Sequence, residues 1–162
     1  KNINVKFYTP EEIFPMEYRK FPKIKIPEEK EVIIMVGFPG SGKSTFINKQ
    51  LIPNNYYIVD GDTLKTPVKM LKDANKHLEQ SIVFDATNGT IEKRKIYIDF
   101  AKENNMNVRC IWVATPIEEA LENVKERYEK TGKKKIPAVA LMTYQKNFEE
   151  PNDTEGCEVI IV

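Results

Sequence analysis

The chain has 162 residues, of which 41% are hydrophobic and 30% are charged, and these proportions are typical of one ordinary globular domain. Its 25 basic and 24 acidic residues leave a formal net charge of +1, which excludes a uniformly basic protein and requires any polyanion site to be a local patch. No apolar run approaches the roughly 20 residues that a membrane-spanning helix needs, so we expect no membrane partner.

The cysteine content bears on the compartment in which the protein works. The chain has two cysteines, Cys110 and Cys157, and they lack the spacing of a zinc site or a disulfide scaffold. We therefore expect an intracellular, reducing compartment, which includes the nucleus if the source is a cellular eukaryote.

Residues 1–30 form a segment without hydrophobic periodicity. The segment is interrupted by Pro10, Pro15, Pro22 and Pro27, and such interruptions favour irregular structure. We expect residues 1–30 to be an irregular leader or interdomain linker and residues 31–162 to be the folded domain. Because the first residue is Lys rather than Met, we also expect the chain to be a piece of a longer protein.

From residue 31 onward, short β-branched runs alternate with segments of helical period, which predicts an α/β fold with a mainly parallel five-stranded sheet flanked by helices. The predicted strands are Val32–Val36, Tyr56–Val59, Ser81–Phe84, Val108–Val113 and Val159–Val162. The predicted helices are Lys43–Leu51, Thr63–Leu78, Ile91–Glu103 and Pro116–Lys130. For the last helix, the sequence predicts Thr115 as N-cap, Pro116 at the first helical position and Glu118 completing a capping box.

The segment VGFPGSGKST at residues 36–45 matches the phosphate-binding loop (P-loop) pattern GxxxxGK[ST] between a predicted strand and a predicted helix. Glycines let backbone N–H groups turn towards an anionic oxygen, and the positive end of the following helix faces the same point. We expect Lys43 to reach the β- and γ-phosphates of ATP and the Ser44 hydroxyl to bind Mg²⁺. The residues predicted to hold ATP are Gly37, Phe38, Pro39, Gly40, Ser41, Gly42, Lys43, Ser44 and Thr45. The fold is therefore expected to be that of P-loop NTPases and kinases.

Acidic residues follow the second and third predicted strands, at the sheet edge where α/β proteins bind ligands. Asp62 could orient a phosphoryl acceptor and take its proton, or it could cap the next helix, and spacing alone leaves both roles open. Asp85, which ends the third strand, occupies the place where P-loop enzymes keep a carboxylate for Mg²⁺. The DxxG and NKxD motifs that a GTPase would carry do not follow the strands as required, which argues against that class.

Basic residues gather near the end of the predicted helix Pro116–Lys130. The sequence has Lys125, Arg127 and Lys130, followed by lysines at 133–135. This run complements the helix dipole, and it is also typical of a lid that stabilises a transferring phosphoryl group. Arg127 flanks the apolar stripe of the helix, so we predict that Arg127, with Lys125, contacts the nucleotide from a helical lid.

Several of these stretches resemble the kinase domain of the bifunctional polynucleotide 5′-kinase/3′-phosphatase family. The loop GFPGSGKSTF is similar to the family's loop, DGDTL at residues 60–64 to its Asn-Arg-Asp-Thr-Leu, and FDATN at residues 84–88 to its Asp-Asn-Thr-Asn. Even the leader stretch FYTPEEIF resembles the family's connection between its two domains. The C-terminal likeness lies at Pro137, Tyr144, Lys146, Phe148, Glu149, Pro151, Glu155 and Gly156.

The resemblance implies roles for individual residues. Asp62 corresponds to the general base for the 5′-hydroxyl, Asp85 and Asn88 to the acidic stretch at the substrate, and a phosphatase domain is implied upstream. Two positions depart from the family, because its arginine before the base is Gly61 here and its next basic residue is Lys69. An exchange of Arg for Lys is not neutral at a phosphate fork.

Together these features predict an ATP- and Mg²⁺-dependent kinase that phosphorylates 5′-hydroxyl ends of nucleic acid, DNA in preference to RNA, in end healing or repair. Asp62, Lys43 and Arg127 are the predicted catalytic residues, with Lys69 on the substrate side. Two alternatives remain open: a P-loop kinase for a nucleoside or sugar, and a nucleotide-binding module without catalysis.

Overall fold

A five-stranded parallel sheet forms the centre of the structure, a computed structural model that describes residues 21–132 and 136–162. The sheet order is β2-β3-β1-β4-β5, and each pair of neighbours is parallel. The strands lie within one residue of their predicted positions, which confirms the predicted fold class. They are β1 (Glu31–Val36), β2 (Tyr57–Asp60), β3 (Ile82–Asp85), β4 (Asn107–Trp112) and β5 (Glu158–Ile161).

The central strand β1 divides the core into two layers. All of its residues are buried, and successive side chains of a strand point to opposite faces of a sheet. Val32, Ile34 and Val36 accordingly join one hydrophobic cluster with Phe84, while Ile33 and Met35 join a second one. A strand buried on both faces reads as a continuous apolar run, as VIIMV does.

Helices cover both faces of the sheet. The helix after the P-loop begins as α1 (Lys43–Phe46) and continues as a π-helix (Ile47–Leu51) and a 3₁₀ turn (Ile52–Asn54). The other helices are α2 (Gly61–Leu64), α3 (Pro67–Ala74), α4 (Ile91–Glu103), α5 (Ile117–Thr131) and α6 (Ala138–Asn147), and a 3₁₀ turn covers Asp153–Glu155. None of the helices in residues 21–132 and 136–162 has the length and apolar character of a membrane span.

Two sequence predictions about helices are wrong, and one helix of the structure has no counterpart among the predicted ones. The single helix predicted over Thr63–Leu78 is two helices, because Lys65 turns into positive φ (72°) and Thr66 caps a new helix that starts at Pro67 and ends at Ala74. The capping box of α5 is absent, because Pro116 is the N-cap and makes no side-chain capping bond. The helix α6 was not predicted at all.

Residues 21–30 contain no helix or strand, yet part of this segment packs on the domain. Phe21, Ile24 and Ile26 lie against the second hydrophobic cluster, and the Phe21 ring meets Phe46 edge-on with centroids 5.5 Å apart. The Gln50 side chain clamps the segment: its Oε1 accepts the Ile24 N–H (3.0 Å) and its Nε2 donates to the Pro22 carbonyl (2.9 Å). Residues 1–20, with the FYTPEEIF stretch, and the lysines at 133–135 lie outside the described residues.

Candidate active site

A cavity of about 410 Å³ lies at the carboxyl ends of the strands, the edge at which parallel α/β sheets bind ligands. Its volume is within the range of small-molecule sites. The lining combines the P-loop, an acidic residue just after β2, another at the end of β3, and the last turns of α5. Predicted site residues in the lining are Pro39, Gly40, Gly42, Lys43, Ser44, Thr45, Asp62, Asp85 and Arg127.

The P-loop is held from outside by helix α5. A Cβ at Gly40 would lie 2.7 Å from both the Ala120 carbonyl oxygen and Val124 Cγ2, so only glycine permits this approach of loop and helix. The Asn123 amide donates to the Gly40 carbonyl (3.1 Å). The Thr115 hydroxyl, predicted to cap α5, instead donates to the Ser41 carbonyl (2.6 Å), which is the physical reason why the predicted capping box does not form.

The backbone of the loop favours an anion. Gly42 has φ 105° at the N-cap of α1, a conformation that L side chains rarely adopt. The helix then starts at Lys43, so the unpaired N–H groups of its first turn face the cavity, and such groups bind phosphate oxygens.

Lys43 is the partly buried cation of the site. Its Nζ donates to the carbonyl oxygens of Gly37 (3.0 Å) and Phe38 (2.9 Å). Burial lowers the pKa of Lys43 to about 8, an effect that the charges of Asp85 and Asp62 oppose and that of Arg127 reinforces. The side chain is therefore still largely protonated at neutral pH. The charges of Asp62, Asp85 and Arg127 all interact with that of Lys43.

Asp85 is the partly buried carboxylate whose charge acts on Lys43. Burial raises the pKa of Asp85 to about 6, with Lys43 lowering it and Asp60 and Asp62 raising it. A bound cation would stabilise the ionised form of Asp85, which burial disfavours. Ser44 contributes a second oxygen ligand to the same cavity lining. The donor set fits Mg²⁺, which is held by one or two carboxylates together with substrate phosphates; the described residues contain no cluster of three or more side chains that could form an all-protein metal cage.

Asp60 and Asp62 have different tasks in the structure. Asp60 is the N-cap of α2, and its carboxylate accepts the Asp62 N–H (3.0 Å) and the Thr63 hydroxyl (2.8 Å). The carboxylate of Asp62 is exposed, lines the cavity and makes no hydrogen bond or ion pair within residues 21–132 and 136–162. The alternative in which Asp62 merely caps the helix is thereby removed, because Asp60 performs that task.

Gly61 allows β2 and β3 to end close together. A Cβ at this position would lie 2.8 Å from the Asp85 carbonyl oxygen and 3.1 Å from Ala86 Cβ. Any side chain at Gly61 would push the two strand ends apart. The arginine that the resembling family carries there does not fit this backbone.

Six predicted site residues lie outside the described cavity lining: Gly37, Phe38 and Ser41 of the P-loop, and Lys69, Asn88 and Lys125. Lys69 on α3 and Lys125 on α5 are exposed and lie outside the described lining. Asn88 is 3% exposed, and its amide donates to the Met35 carbonyl (2.9 Å). This bond ties the turn after β3 to the end of β1, so the predicted contact of Asn88 with substrate is replaced by a structural role.

The lining also contains residues that the sequence reasoning missed. Thr87, Asn123, Glu126, Thr131 and Ile136 face the cavity, as does Lys130 of the basic run. Asn123 could have been found from its place beside Ala120 and Val124 on the apolar stripe of α5, where a polar side chain needs a partner. For Glu126 and Thr131 the sequence carries no distinguishing signal.

Comparison with known proteins gives the following matches. A family model described as an AAA domain matches residues 32–81 and 68–151. A bifunctional polynucleotide phosphatase/kinase of Schizosaccharomyces pombe is 36% identical over 96% of this chain and 44% of its own length. A relative of similar name from Acanthamoeba polyphaga mimivirus is 34% identical over 98% of this chain and 45% of its own length. The chain thus spans less than half the length of the curated relatives it matches.

Among solved structures, Chaetomium thermophilum Kti12 in complex with ADP-AlF3 superposes with a TM-score of 0.68 and 16% identity, covering 81% of this chain and 88% of that chain. At this identity the likeness bears on the fold alone. It agrees with the parallel sheet and P-loop described above.

Proposed function

Because the chain belongs to the AAA domain family and its curated relatives are named polynucleotide phosphatase/kinases, we propose that it is an ATP-dependent kinase that phosphorylates 5′-hydroxyl ends of polynucleotides. The observation that carries the proposal is the pairing of Asp62 with the P-loop in one cavity. A carboxylate relieved of capping by Asp60 is available to a hydroxyl acceptor, and general bases of this kind are what phosphoryl transfer requires.

In the proposed reaction, Asp62 accepts the proton of the 5′-hydroxyl while that oxygen forms a bond to the γ-phosphorus of ATP. The bond from the γ-phosphorus to the β–γ bridging oxygen breaks, and ADP leaves. Lys43 exchanges its bonds to the Gly37 and Phe38 carbonyls for phosphate oxygens. Arg127, whose charge already acts on Lys43, stabilises the negative charge on the phosphoryl group during transfer.

Ser44 and Asp85 are the residues that would hold Mg²⁺. The ion, when bound, neutralises charge on the β- and γ-phosphate oxygens. Asp85 keeps its carboxylate oriented into the cavity from the end of β3, which pairs in register with the end of β2 at Asp60. The candidate base, two residues beyond the end of β2, and the candidate metal ligand, at the end of β3, are thus positioned by adjacent strands.

The acceptor is proposed to be a nucleic-acid end, DNA in preference to RNA, in end healing or repair. With a net charge of +1, the chain offers few phosphate contacts, so affinity for the polynucleotide should be modest and should fall with salt. Lys69 and Lys125, both exposed, are available to the nucleic-acid backbone or to the nucleotide after a side-chain movement. The relatives' names join two activities, and we propose that the phosphatase activity resides in a separate upstream domain of the full protein.

The test is the transfer of labelled γ-phosphate from ATP to a panel of acceptors: a 5′-hydroxyl DNA oligonucleotide, its RNA counterpart, a mononucleoside and a sugar. We expect the DNA oligonucleotide to be preferred. Asp62→Asn should lower kcat by about 10³-fold or more, while ATP affinity, measured by calorimetry, stays within twofold of the wild type because the P-loop is untouched.

Asp99→Asn is the matched control, since Asp99 pairs with Lys95 on the exposed face of α4 and should leave kcat unchanged. Normal turnover in Asp62→Asn would refute the general-base role. Equal or faster phosphorylation of the nucleoside would favour a small-molecule kinase, and ATP binding without transfer to any hydroxyl would favour a non-catalytic nucleotide-binding module.

A further inference from the structure

Tyr144 lies on α6, outside the cavity lining, but it touches both loops that form the site. Its hydroxyl donates to the Thr87 carbonyl (2.7 Å). The same carbonyl accepts the N–H of Gly37, the first glycine of the P-loop (3.2 Å). One carbonyl oxygen therefore joins three segments: the P-loop, the turn that follows Asp85, and the C-terminal helix.

The ring of Tyr144 is fitted to the same two loops. Its centroid lies 4.9 Å from that of Phe38 in an edge-on contact. On the other side, a Cβ at Gly89 would lie 2.4 Å from Tyr144 Cε2, so the turn after β3 admits the ring only because residue 89 is glycine.

The polypeptide beyond Tyr144 fixes this turn a second time. The Glu149 N–H donates to the Gly89 carbonyl (2.8 Å), and the Glu149 carboxylate accepts the N–H of Ile91 (3.0 Å). The turn is thus held along its length, and Tyr144 is the member of this set that also contacts the P-loop.

The hydroxyl of Tyr144 is a constant donor. Burial raises the pKa of Tyr144 well above its usual range, so the hydroxyl is protonated and able to donate at neutral pH. A partly buried phenol that donates to an already shared carbonyl restrains the relative position of the groups around that carbonyl. Those groups are the start of the phosphate cradle and the segment that begins at Asp85.

We propose that Tyr144 is a positioning residue that sets the spacing between the P-loop and Asp85, and through it the coupling between ATP and Mg²⁺ binding. The inference rests on the proposed function in taking ATP and Mg²⁺ as the occupants of the cavity. Tyr144 touches neither of them. Its effect is transmitted through the Thr87 carbonyl. The effect should therefore appear in the binding of ATP with Mg²⁺, which requires the P-loop and Asp85 together.

The experiment compares Tyr144→Phe, which keeps the ring and removes the hydroxyl, with Tyr57→Phe. Tyr57 is the matched control because it too is partly buried and donates to a single partner, the Asp73 carboxylate (3.1 and 3.0 Å), on the edge strand β2. Calorimetry measures ATP affinity with Mg²⁺ and with a chelator, and the ratio of the two affinities reports the coupling. Thermal melting measures stability.

We expect Tyr144→Phe to reduce the Mg²⁺-dependent gain in ATP affinity by about five- to tenfold, the effect of one lost hydrogen bond, and to lower kcat with little change in the acceptor KM. The affinity without Mg²⁺ should change by less than twofold. Tyr57→Phe should lower the melting temperature by about as much as Tyr144→Phe does, because each variant loses one hydrogen bond. It should leave the ratio of the two ATP affinities unchanged. Tyr144→Leu, which loses ring and hydroxyl, should lower both the ratio and the melting temperature.

An unchanged ratio in Tyr144→Phe overturns the proposal, because the tyrosine would then serve stability alone. A wild type that binds ATP without help from Mg²⁺ also overturns it. The proposed kinase function fails on a different result, the absence of phosphoryl transfer to any 5′-hydroxyl end by a wild type whose ATP binding is intact.

Discussion

Asp85 has to be ionised for the role proposed here, yet its surroundings favour the protonated form. Burial raises its pKa to about 6 from an ordinary value of 3.8. A carboxyl whose folded-state pKa is raised stabilises the fold fully only below the unfolded value, and that contribution is lost as the pH rises through the folded value. Above about pH 6, therefore, the ionised Asp85 lowers the stability of the ligand-free protein.

We predict that Asp85→Asn stabilises the ligand-free protein at pH 8 by about 1–3 kcal/mol, since one unit of pKa shift corresponds to about 1.4 kcal/mol. The gain should shrink as the pH falls through 6 and vanish near pH 4, where the wild-type carboxyl is protonated. Chemical denaturation at several pH values measures both. The same variant should lose Mg²⁺-dependent ATP affinity, so stability and ligand binding should change in opposite directions.

Asp99→Asn is the control for this prediction, because Asp99 is about half exposed and should give no pH-dependent gain. A variant at position 85 that is less stable than the wild type at pH 8 would contradict the prediction. It would mean that the attraction between Asp85 and Lys43 outweighs the cost of burying the carboxylate.

At the scale of residues, the sequence predicted those site residues whose positions depend on a short motif. Lys43, Asp62 and Asp85 lie at or shortly after the ends of strands, and motif spacing alone places them at one sheet edge. Asn88 was misassigned because its partner, the Met35 carbonyl, lies 53 residues away in sequence. Tyr144 belongs to a family-like stretch of the sequence, but its contact with Thr87 across 57 residues depends on the tertiary fold.

At the scale of elements, the break between α2 and α3 is the clearest departure from the sequence prediction. The apolar spacing of Leu64, Val68 and Leu71 continues across the break, so periodicity indicated one helix. The competing signal is local: Thr66 accepts the Lys69 N–H as N-cap and Pro67 follows at the first helical position, the arrangement that starts a helix. Lys65 must then turn with φ 72° to join the two helices.

We predict that Lys65→Gly stabilises the protein by about 0.5–1 kcal/mol, because glycine adopts positive φ without the steric cost that Lys65 bears. Lys72→Gly is the matched control with the opposite sign. Lys72 lies within α3, where glycine should cost about 1 kcal/mol. Urea unfolding of the three proteins tests both; destabilisation by glycine at position 65 would show that the turn there carries no strain.

The missed helix α6 shows a second limit of periodicity. Leu141 is fully buried, while Val139 and Met142 are 67% and 57% exposed. Its apolar residues are therefore spread around the helix instead of forming one stripe, and a stripe is what a sequence pattern detects. The helix is positioned by aromatic contacts of Tyr144 and Phe148 with Phe38, which are tertiary.

At the scale of the whole molecule, the alternation of strands and helices was enough to predict a parallel α/β sheet, because parallel strands need crossover segments. The strand order was not predictable in the same way. It follows from burial of β1 on both faces and from exposed edges at β2 and β5, where for example Ile161 is 59% exposed. The extent of the domain is the remaining question at this scale.

We propose that the folded domain includes residues 21–26 and does not start as late as residue 31. Ile24 packs on the second hydrophobic cluster and its N–H bonds to Gln50, on the helix that follows the P-loop. Ile24 is half-buried, and it stabilises the fold through the apolar surface that this packing removes from water.

Ile24→Ala should therefore lower the free energy of unfolding by about 1–2 kcal/mol, less than the cost at a fully buried site. Its neighbour Lys23 is exposed, so Lys23→Ala should change stability by less than about 0.5 kcal/mol. Urea unfolding compares the two. Gln50 belongs to the segment that continues α1, so loss of the contact should destabilise the helix that follows the P-loop. Bound ATP should restore part of the lost stability. Equal unfolding midpoints for the two variants would place residues 21–26 outside the cooperative fold and return the boundary to residue 31.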